Sequence, residues 1–185
     1  MKAVSPFTKV FIFLYISAVG VRGYFFLRSM LRGAPCISTA EPTARVMLEL
    51  AGLRPGMTVY DLGSGRGRLL LLAAERGVRA IGIELDPFVV WSSRILARAS
   101  PFSERIEVRR GDLWEAELGD ADVVFVYLLA GKMERLRRRL EGRLKPGALV
   151  VTNRFPFPGL RPEREDAAAR VYAYRFPAPA SRPPA

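Results

Sequence analysis

One stretch constrains this chain more than any other: Val59-Tyr60-Asp61-Leu62-Gly63-Ser64-Gly65-Arg66-Gly67-Arg68-Leu69-Leu70. An apolar run ends near an acid, three glycines follow at every second position, and a leucine-rich run begins at once. Glycine reaches positive φ without a Cβ penalty and lets the main chain come close to another group. A strand, a tight glycine turn and a helix in that order predict the first βα unit of an open α/β sheet. In such sheets ligands bind beyond the carboxyl ends of the strands. Gly63, Gly65 and Gly67 fall at that edge, where the helix that follows offers free N–H groups to an anion.

The pattern continues along the chain. Ser38-Thr39-Ala40-Glu41 has capping-box spacing and predicts an amphipathic helix to about Leu53, ended by Arg54-Pro55-Gly56. Strands are expected at Met57–Leu62, Arg79–Leu85, Arg105–Arg110, Asp122–Leu129, Ala148–Asn153 and Arg170–Phe176. Helices are expected at Arg68–Arg76, Pro87–Ala99 and Lys132–Leu144. Strands alternating with helices mean a doubly wound, mostly parallel sheet with helices on both faces. Apolar runs such as Asp122–Leu129 suit strands buried on both sides.

The chain has 185 residues, enough for one domain with a substantial core. It has no histidine and a single cysteine, Cys36. That removes an intrachain disulfide, the usual zinc ligands and the usual general base. Chemistry must rest on carboxylates, backbone amides, aromatic groups and a cofactor. The formal charge is +11. A basic surface attracts nucleic acid, anionic lipid or acidic protein, and a solvated arginine-rich surface accounts for it equally well.

Lys2, Lys9, Arg22, Arg28 and Arg32 lie in residues 1–40, with no acid among them. Between them, Val10–Val21 is free of charge, and apolar character resumes after Arg22 and Arg28. A signal peptide, a membrane-spanning helix running to about Leu31 and a helix lying in the membrane interface all fit this pattern. An uncleaved anchor is favoured, because the cofactor inferred for the next domain is intracellular. The organisation expected is an anchor and linker over 1–35, a globular domain over 36–176 and a proline-rich disordered tail over 177–185.

The D-x-G-x-G-x-G arrangement at Asp61 to Gly67 resembles the first motif of class I S-adenosylmethionine-dependent methyltransferases. The dinucleotide fingerprint instead needs G-x-G-x-x-G. The resemblance implies a Rossmann-like sheet and S-adenosylmethionine as cofactor. It places Gly63, Ser64, Gly65 and Gly67 on the methionine half and Asp61 near the amino group. Glu84, ending the second expected strand, matches the acid that grips the ribose, with Leu85 beside it. Asp112, with Leu113, matches the acid that meets the adenine amine. Thr39 and Thr43, ahead of the first strand, either close over the cofactor carboxylate or cap the helix.

"DLGSGRGR", "ELDPFVVW", "GDLW" and "RFPFP" occur in that order. They resemble the signatures of a protein lysine methyltransferase family that includes the enzymes acting on the ATP synthase c-subunit and the adenine nucleotide translocase, and archaeal enzymes of broad specificity. Arg66, Asp86 and Phe88 depart from the family pattern, standing where an acid, an asparagine and a tryptophan are usual. The resemblance implies a protein substrate with an accessible lysine. An N-terminal anchor and an intracellular cofactor together lead to the expectation of a domain on the cytoplasmic side of a membrane, and the composition to that of no metal. Tyr127, Trp114, Asn153 and Phe155, at strand ends, are the candidates for a lysine slot: aromatic walls hold its methylene stem and face a cationic product. A nucleic-acid substrate is less favoured, because "VYLL" stands where base-amine methyltransferases carry an N/D-P-P-Y turn. RNA or small-molecule methylation, and a non-catalytic S-adenosylmethionine-binding module, remain the alternatives.

Overall fold

The computed structural model describes residues 5–32 and 39–177. A long helix, α1 (Pro6–Arg32), comes first. There follow α2 (Glu41–Ala51), β1 (Thr58–Leu62), α3 (Arg68–Ala74), β2 (Arg79–Glu84), α4 (Pro87–Arg98), β3 (Ile106–Arg110), β4 (Val123–Val126), α5 (Ala130–Leu140), β5 (Leu149–Asn153), β6 (Arg164–Asp166) and β7 (Val171–Arg175). The strands form one sheet in the order β3-β2-β1-β4-β5-β7-β6. Strands β1 to β5 are mutually parallel, and β7 runs antiparallel to both β5 and β6. The chain winds outward from β1 to β3, then returns to lay β4 on the other side of β1. That reversal makes the switch point of the doubly wound sheet the sequence predicts.

Alternate side chains go to opposite faces of a strand, and here both faces are dry. Val59, Val123, Phe125, Leu149 and Val151 pack with Met47, Leu48, Leu70 and Ala73 of α2 and α3. Tyr60, Ile81, Ile83, Val124, Val126 and Val150 pack on the other side with Met133, Leu136 and Leu140 of α5. Each fully buried aliphatic or aromatic side chain contributes about 1.5–3 kcal/mol relative to exposure. Strands that bury both faces therefore dominate the core.

Several boundaries differ from expectation. α2 begins after an N-cap at Ala40 that makes no side-chain hydrogen bond, and it ends at Gly52, whose φ is 60°. Glu41 pairs with Arg45 at 2.8 Å; Ser38, the other half of the expected capping box, lies outside the described residues. The stop is a left-handed glycine rather than Arg54-Pro55-Gly56. β4 stops at Val126, opposite Leu62, the last residue of β1. α5 ends at Leu140, two residues before Gly142 with φ 73°. β6 is unanticipated: three largely exposed polar residues carry no apolar alternation to betray a strand. Cys36 and the tail residues 178–185 lie outside the described residues.

Helix α1 holds a segment, Pro6–Phe25, that is long and apolar enough to cross a membrane, and none of it is buried in protein. Its far end touches the domain. Arg22 Nη1 donates to Asp86 Oδ2 at 3.3 Å, the Phe25 and Phe88 rings meet edge-on at 6.3 Å, and the Arg110 guanidinium lies 5.9 Å from the Phe25 ring.

Beyond β5, the chain is pinned by a buried tyrosine. Phe157 N–H donates to the Tyr174 hydroxyl at 3.1 Å, and the two rings meet at 4.9 Å. Burial pushes the Tyr174 hydroxyl up to about 12, so it stays protonated. Tyr174→Phe keeps the ring packing and leaves the Phe157 amide without its acceptor. The expected cost is about 1–3 kcal/mol in a urea titration, with the m-value unchanged.

Candidate functional site

The glycine turn lies where β1 leaves the sheet. Gly63, Gly65 and Gly67 have φ of 84°, 53° and 81°, so the alternation in the sequence is an alternation of left-handed backbone. The N–H groups of Gly63 and Ser64 both donate to the Ile83 carbonyl, at 2.9 and 3.1 Å, and Gly67 N–H donates to the Ser64 carbonyl. The glycines have separate reasons. A Cβ on Gly67 would sit 2.7 Å from Ser93 Oγ of α4, so the protein itself needs glycine there. A Cβ on Gly65 would meet no atom within 4 Å. Its Cα therefore borders open space, into which a ligand can come close.

The second strand supports the turn from beneath. A Cβ on Gly82 would lie 2.5 Å from Ser64 Oγ, 2.8 Å from Ser64 Cβ and 2.6 Å from Leu70 Cδ1. Glu84, at the end of β2, is buried. Its Oε2 accepts from Gly65 N–H at 3.0 Å, and its Oε1 accepts from Leu85 and Asp86 N–H at 2.8 and 2.9 Å. Each carboxylate oxygen offers two lone pairs. Oε1 is filled, and Oε2 keeps one for another donor.

Asp61 sits one strand away. Burial first, and the Glu84 carboxylate second, push its carboxyl from the ordinary 3.8 up to about 7. Its side chain has no hydrogen-bond donor among the described residues. A desolvated carboxylate without a partner is costly unless a cation meets it. Asp112 follows β3 along the same edge: the Gly111 N–H donates to the Glu84 carbonyl, and Asp112 Oδ1 accepts from Trp114 N–H at 3.0 Å. Leu85 is half-buried and Leu113 buried. Arg66 is exposed. Asp86 caps α4 by accepting from Phe88 and Val89 N–H, while its other oxygen takes Arg22. Asp86 and Phe88 thus meet α1, together with Arg110.

Across the switch point, the registers Leu62↔Val126 and Val126↔Thr152 bring Tyr127 and Asn153 to the same sheet edge as the turn. Asn153 is buried, and its Nδ2 donates to Thr39 Oγ1 at 3.4 Å, joining two residues 114 apart in sequence. Thr43 is half-buried in α2. Tyr127 is half-buried, and its hydroxyl has no partner among the described residues. Phe155 is half-buried, with the Arg154 guanidinium 5.7 Å from its ring. Trp114 is 5 % exposed within the second core cluster, under the Arg135 guanidinium at 4.2 Å. It backs the edge from inside rather than lining an open wall. Between Asn153 and Phe155 the backbone folds into a γ-turn: Phe155 N–H donates to the Asn153 carbonyl at 2.9 Å, and Arg154 has φ 70°. That conformation costs about 1–3 kcal/mol for a non-glycine residue. Arg154 N–H is held by the carbonyl of Arg170, itself at φ 55°.

The profile of the ANTKMT methyltransferase domain matches residues 61–164, which run from Asp61 through the turn, Glu84, Asp112 and the segment after β5. The chain belongs to this methyltransferase family. The adenine nucleotide translocase lysine N-methyltransferase of Mus musculus is 36 % identical over 76 % of the chain and 62 % of its own length. The chain thus spans about three fifths of that curated relative. A protein-lysine N-methyltransferase of Saccharolobus islandicus is 32 % identical over 70 % of the chain and 81 % of its own length. Among solved structures, an RNA methyltransferase from Salinibacter ruber bound to S-adenosyl-L-homocysteine superposes with a TM-score of 0.73 at 38 % identity, covering 76 % of this chain and 94 % of that one.

Within this methyltransferase domain, the glycine turn was readable from spacing, and Asp61, Glu84 and Asp112 were singled out through the family resemblance. Gly82, Ser93 and Arg154 were not, because their roles arise from close approach between elements and from one backbone angle. Two outcomes follow from the geometry. Gly82→Ala should destabilise the domain by about 1–3 kcal/mol through overpacking against Ser64, and the double variant with Ser64→Gly should recover part of the loss in thermal melts. Asp61, with its raised folded-state value, favours the fold below pH 4 relative to pH 8: that stability is lost as pH rises towards and through about 7. Asp61→Asn should therefore raise the ligand-free melting temperature at pH 8 and leave it nearly unchanged at pH 4.

Proposed function

We propose that the chain is an S-adenosylmethionine-dependent protein lysine N-methyltransferase that acts at a membrane, with its catalytic domain on the cytoplasmic side. The observation that carries the reading is the pairing of an open Gly65 with the half-buried carboxylate of Asp61, which has no hydrogen-bond donor among the described residues, on one sheet edge. The donor set fits the cofactor. Asp61 would hold the amino group, whose positive charge offsets the burial of the carboxylate. Glu84 Oε2 has one lone pair left for a ribose hydroxyl. Asp112 and Leu113 would flank the adenine, with Leu85 beside the ribose. Gly63, Ser64, Gly65 and Gly67 would wrap the methionine half. Thr39, tied to Asn153, would close the carboxylate end.

When bound, S-adenosylmethionine supplies a sulfonium methyl, which passes to the amine nitrogen as the carbon–sulfur bond breaks and a thioether leaves. The residues have to deliver a neutral lysine, whose free value is near ~10.4. A desolvated slot beside a positive charge favours the neutral amine. The half-buried Tyr127 and Phe155 supply apolar walls for the lysine stem, with Trp114 behind them. The Tyr127 hydroxyl and Asn153 would orient the amine, and positioning of this kind accounts for a large part of the rate. The membrane part of the proposal draws on the unburied apolar segment of α1, and on relatives named for the ATP synthase c-subunit and the adenine nucleotide translocase.

A second reading, methyl transfer to RNA, draws on the name of the Salinibacter ruber neighbour and on the +11 charge. Incubating the full chain with methyl-labelled cofactor and either membrane protein or RNA separates the two. Label on lysine supports the proposal, label on RNA replaces it, and label on neither leaves a binding module. Binding of S-adenosylhomocysteine, read by calorimetry, should weaken about 10- to 100-fold in Asp61→Ala and in Glu84→Ala, the loss of a charged hydrogen bond. Binding to the unaltered chain should strengthen between pH 6 and pH 8, as Asp61 loses its proton.

A further inference from the structure

Helix α4 turns two different faces to its surroundings. Val90, Ser93 and Ala97 are buried against the domain. On the opposite side, Phe88, Trp91, Ile95 and Leu96 are 46 %, 69 %, 45 % and 39 % exposed. At about 100° per residue, these four share one side of the helix. Arg98 lies beside Trp91 and is exposed, while Arg94, further round the helix, is held towards β3, its Nε donating to the Val108 carbonyl at 2.9 Å. A soluble domain keeps the outward face of such a helix polar. This one carries an exposed tryptophan, Trp91, at the edge of an apolar row.

The face is continuous with α1. Phe88, the first residue of the apolar row, is the residue that Phe25 packs against, and Asp86, the cap of α4, is the residue that Arg22 pairs with. The apolar surface of Pro6–Phe25 thus runs on, through Phe25, into the exposed row of α4. An α1 embedded in lipid would bring the start of α4 to the bilayer surface with its apolar side unshielded. Twelve residues of helix span only ~18 Å, too short to cross the ~30 Å hydrocarbon core. A short amphipathic helix with aromatic residues on one side and an arginine, Arg98, at its edge suits the boundary between headgroups and acyl chains. Arg98 complements anionic lipid.

We propose that the exposed face of α4, formed by Phe88, Trp91, Ile95 and Leu96, seats in the headgroup–acyl boundary of an anionic bilayer. This seating holds the carboxyl edge of the sheet at the membrane surface. The inference rests on the membrane part of the function proposed above and adds a second contact that fixes the orientation of the domain. Glu84 and the cap residue Asp86 immediately precede α4, so the site faces chain segments at headgroup level. The substrate class is then a membrane protein whose lysine lies at the lipid–water boundary.

The test uses the full chain with vesicles of phosphatidylcholine and phosphatidylglycerol whose acyl chains are brominated either near the glycerol or near the terminal methyl. Trp91 is the reporter, and buried Trp114 is the internal control. Bromine near the glycerol should cause about a twofold loss of Trp91 emission, the interfacial depth expected of tryptophan, and bromine near the methyl end clearly less. Trp91→Tyr should abolish the quenching. Phe88→Glu with Ile95→Glu should reduce it while the protein still pellets with vesicles through α1. Pelleting of the full chain without quenching of Trp91 overturns the α4 contact and leaves the anchor standing. Trp91 shielded from aqueous iodide but unquenched by bromolipid assigns the face to a protein partner and overturns the proposal. Failure of the full chain to pellet at all removes the anchor and this contact together.

Discussion

The site depends on one carboxylate accepting three backbone amides. Glu84 ends β2 and takes N–H groups from Gly65, Leu85 and Asp86. The first fastens the turn after β1 to the neighbouring strand. The other two set the path of the chain into α4. A glycine-rich turn with positive φ at every second residue has little conformational preference of its own, and glycine loses more freedom on folding than any other residue. Charge-assisted hydrogen bonds to a buried acid are strong enough to hold it. Gly82 below and Ser93 alongside leave the turn no room to sink towards the sheet.

The same arrangement explains the electrostatics. Glu84 has donors on every side that the chain supplies, while Asp61, one strand over, has none among the described residues and feels the Glu84 charge as well. Two carboxylates in neighbouring positions thus have different fates. One is a structural brace with a single lone pair to spare. The other is an acceptor that gains most when a cation arrives. A cofactor with an amino group and two ribose hydroxyls meets this asymmetry.

Much of this was legible in the sequence because glycine spacing and strand-end acids leave a record in residue types. The order of strands and helices and the turn emerge from local pattern, and Glu84 and Asp112 from the resemblance that the turn suggests. What was hidden comes from tertiary context. Trp114 reads as an aromatic at a strand end, yet it is drawn into the core beneath Arg135. Arg154 gives no sign of a left-handed residue, since its conformation is imposed by the turn between Asn153 and Phe155 and by the carbonyl of Arg170. β6 has no hydrophobic alternation because β7 alone recruits it, at the sheet's margin. The α4 surface also escaped notice: Phe88, Trp91 and Ile95 look like core residues until burial separates them from Val90 and Ala97.

The central claim is that the turn over Glu84 and the carboxylate of Asp61 form a cradle for an adenosyl cofactor. A crystal structure of the chain grown with S-adenosylhomocysteine tests it most directly. The account predicts electron density for the ligand against Gly65, its amino group within hydrogen-bond reach of Asp61 and a single ribose hydroxyl on Glu84 Oε2. Density lodged elsewhere, or Asp61 left facing solvent while the ligand sits on another edge of the sheet, would contradict it.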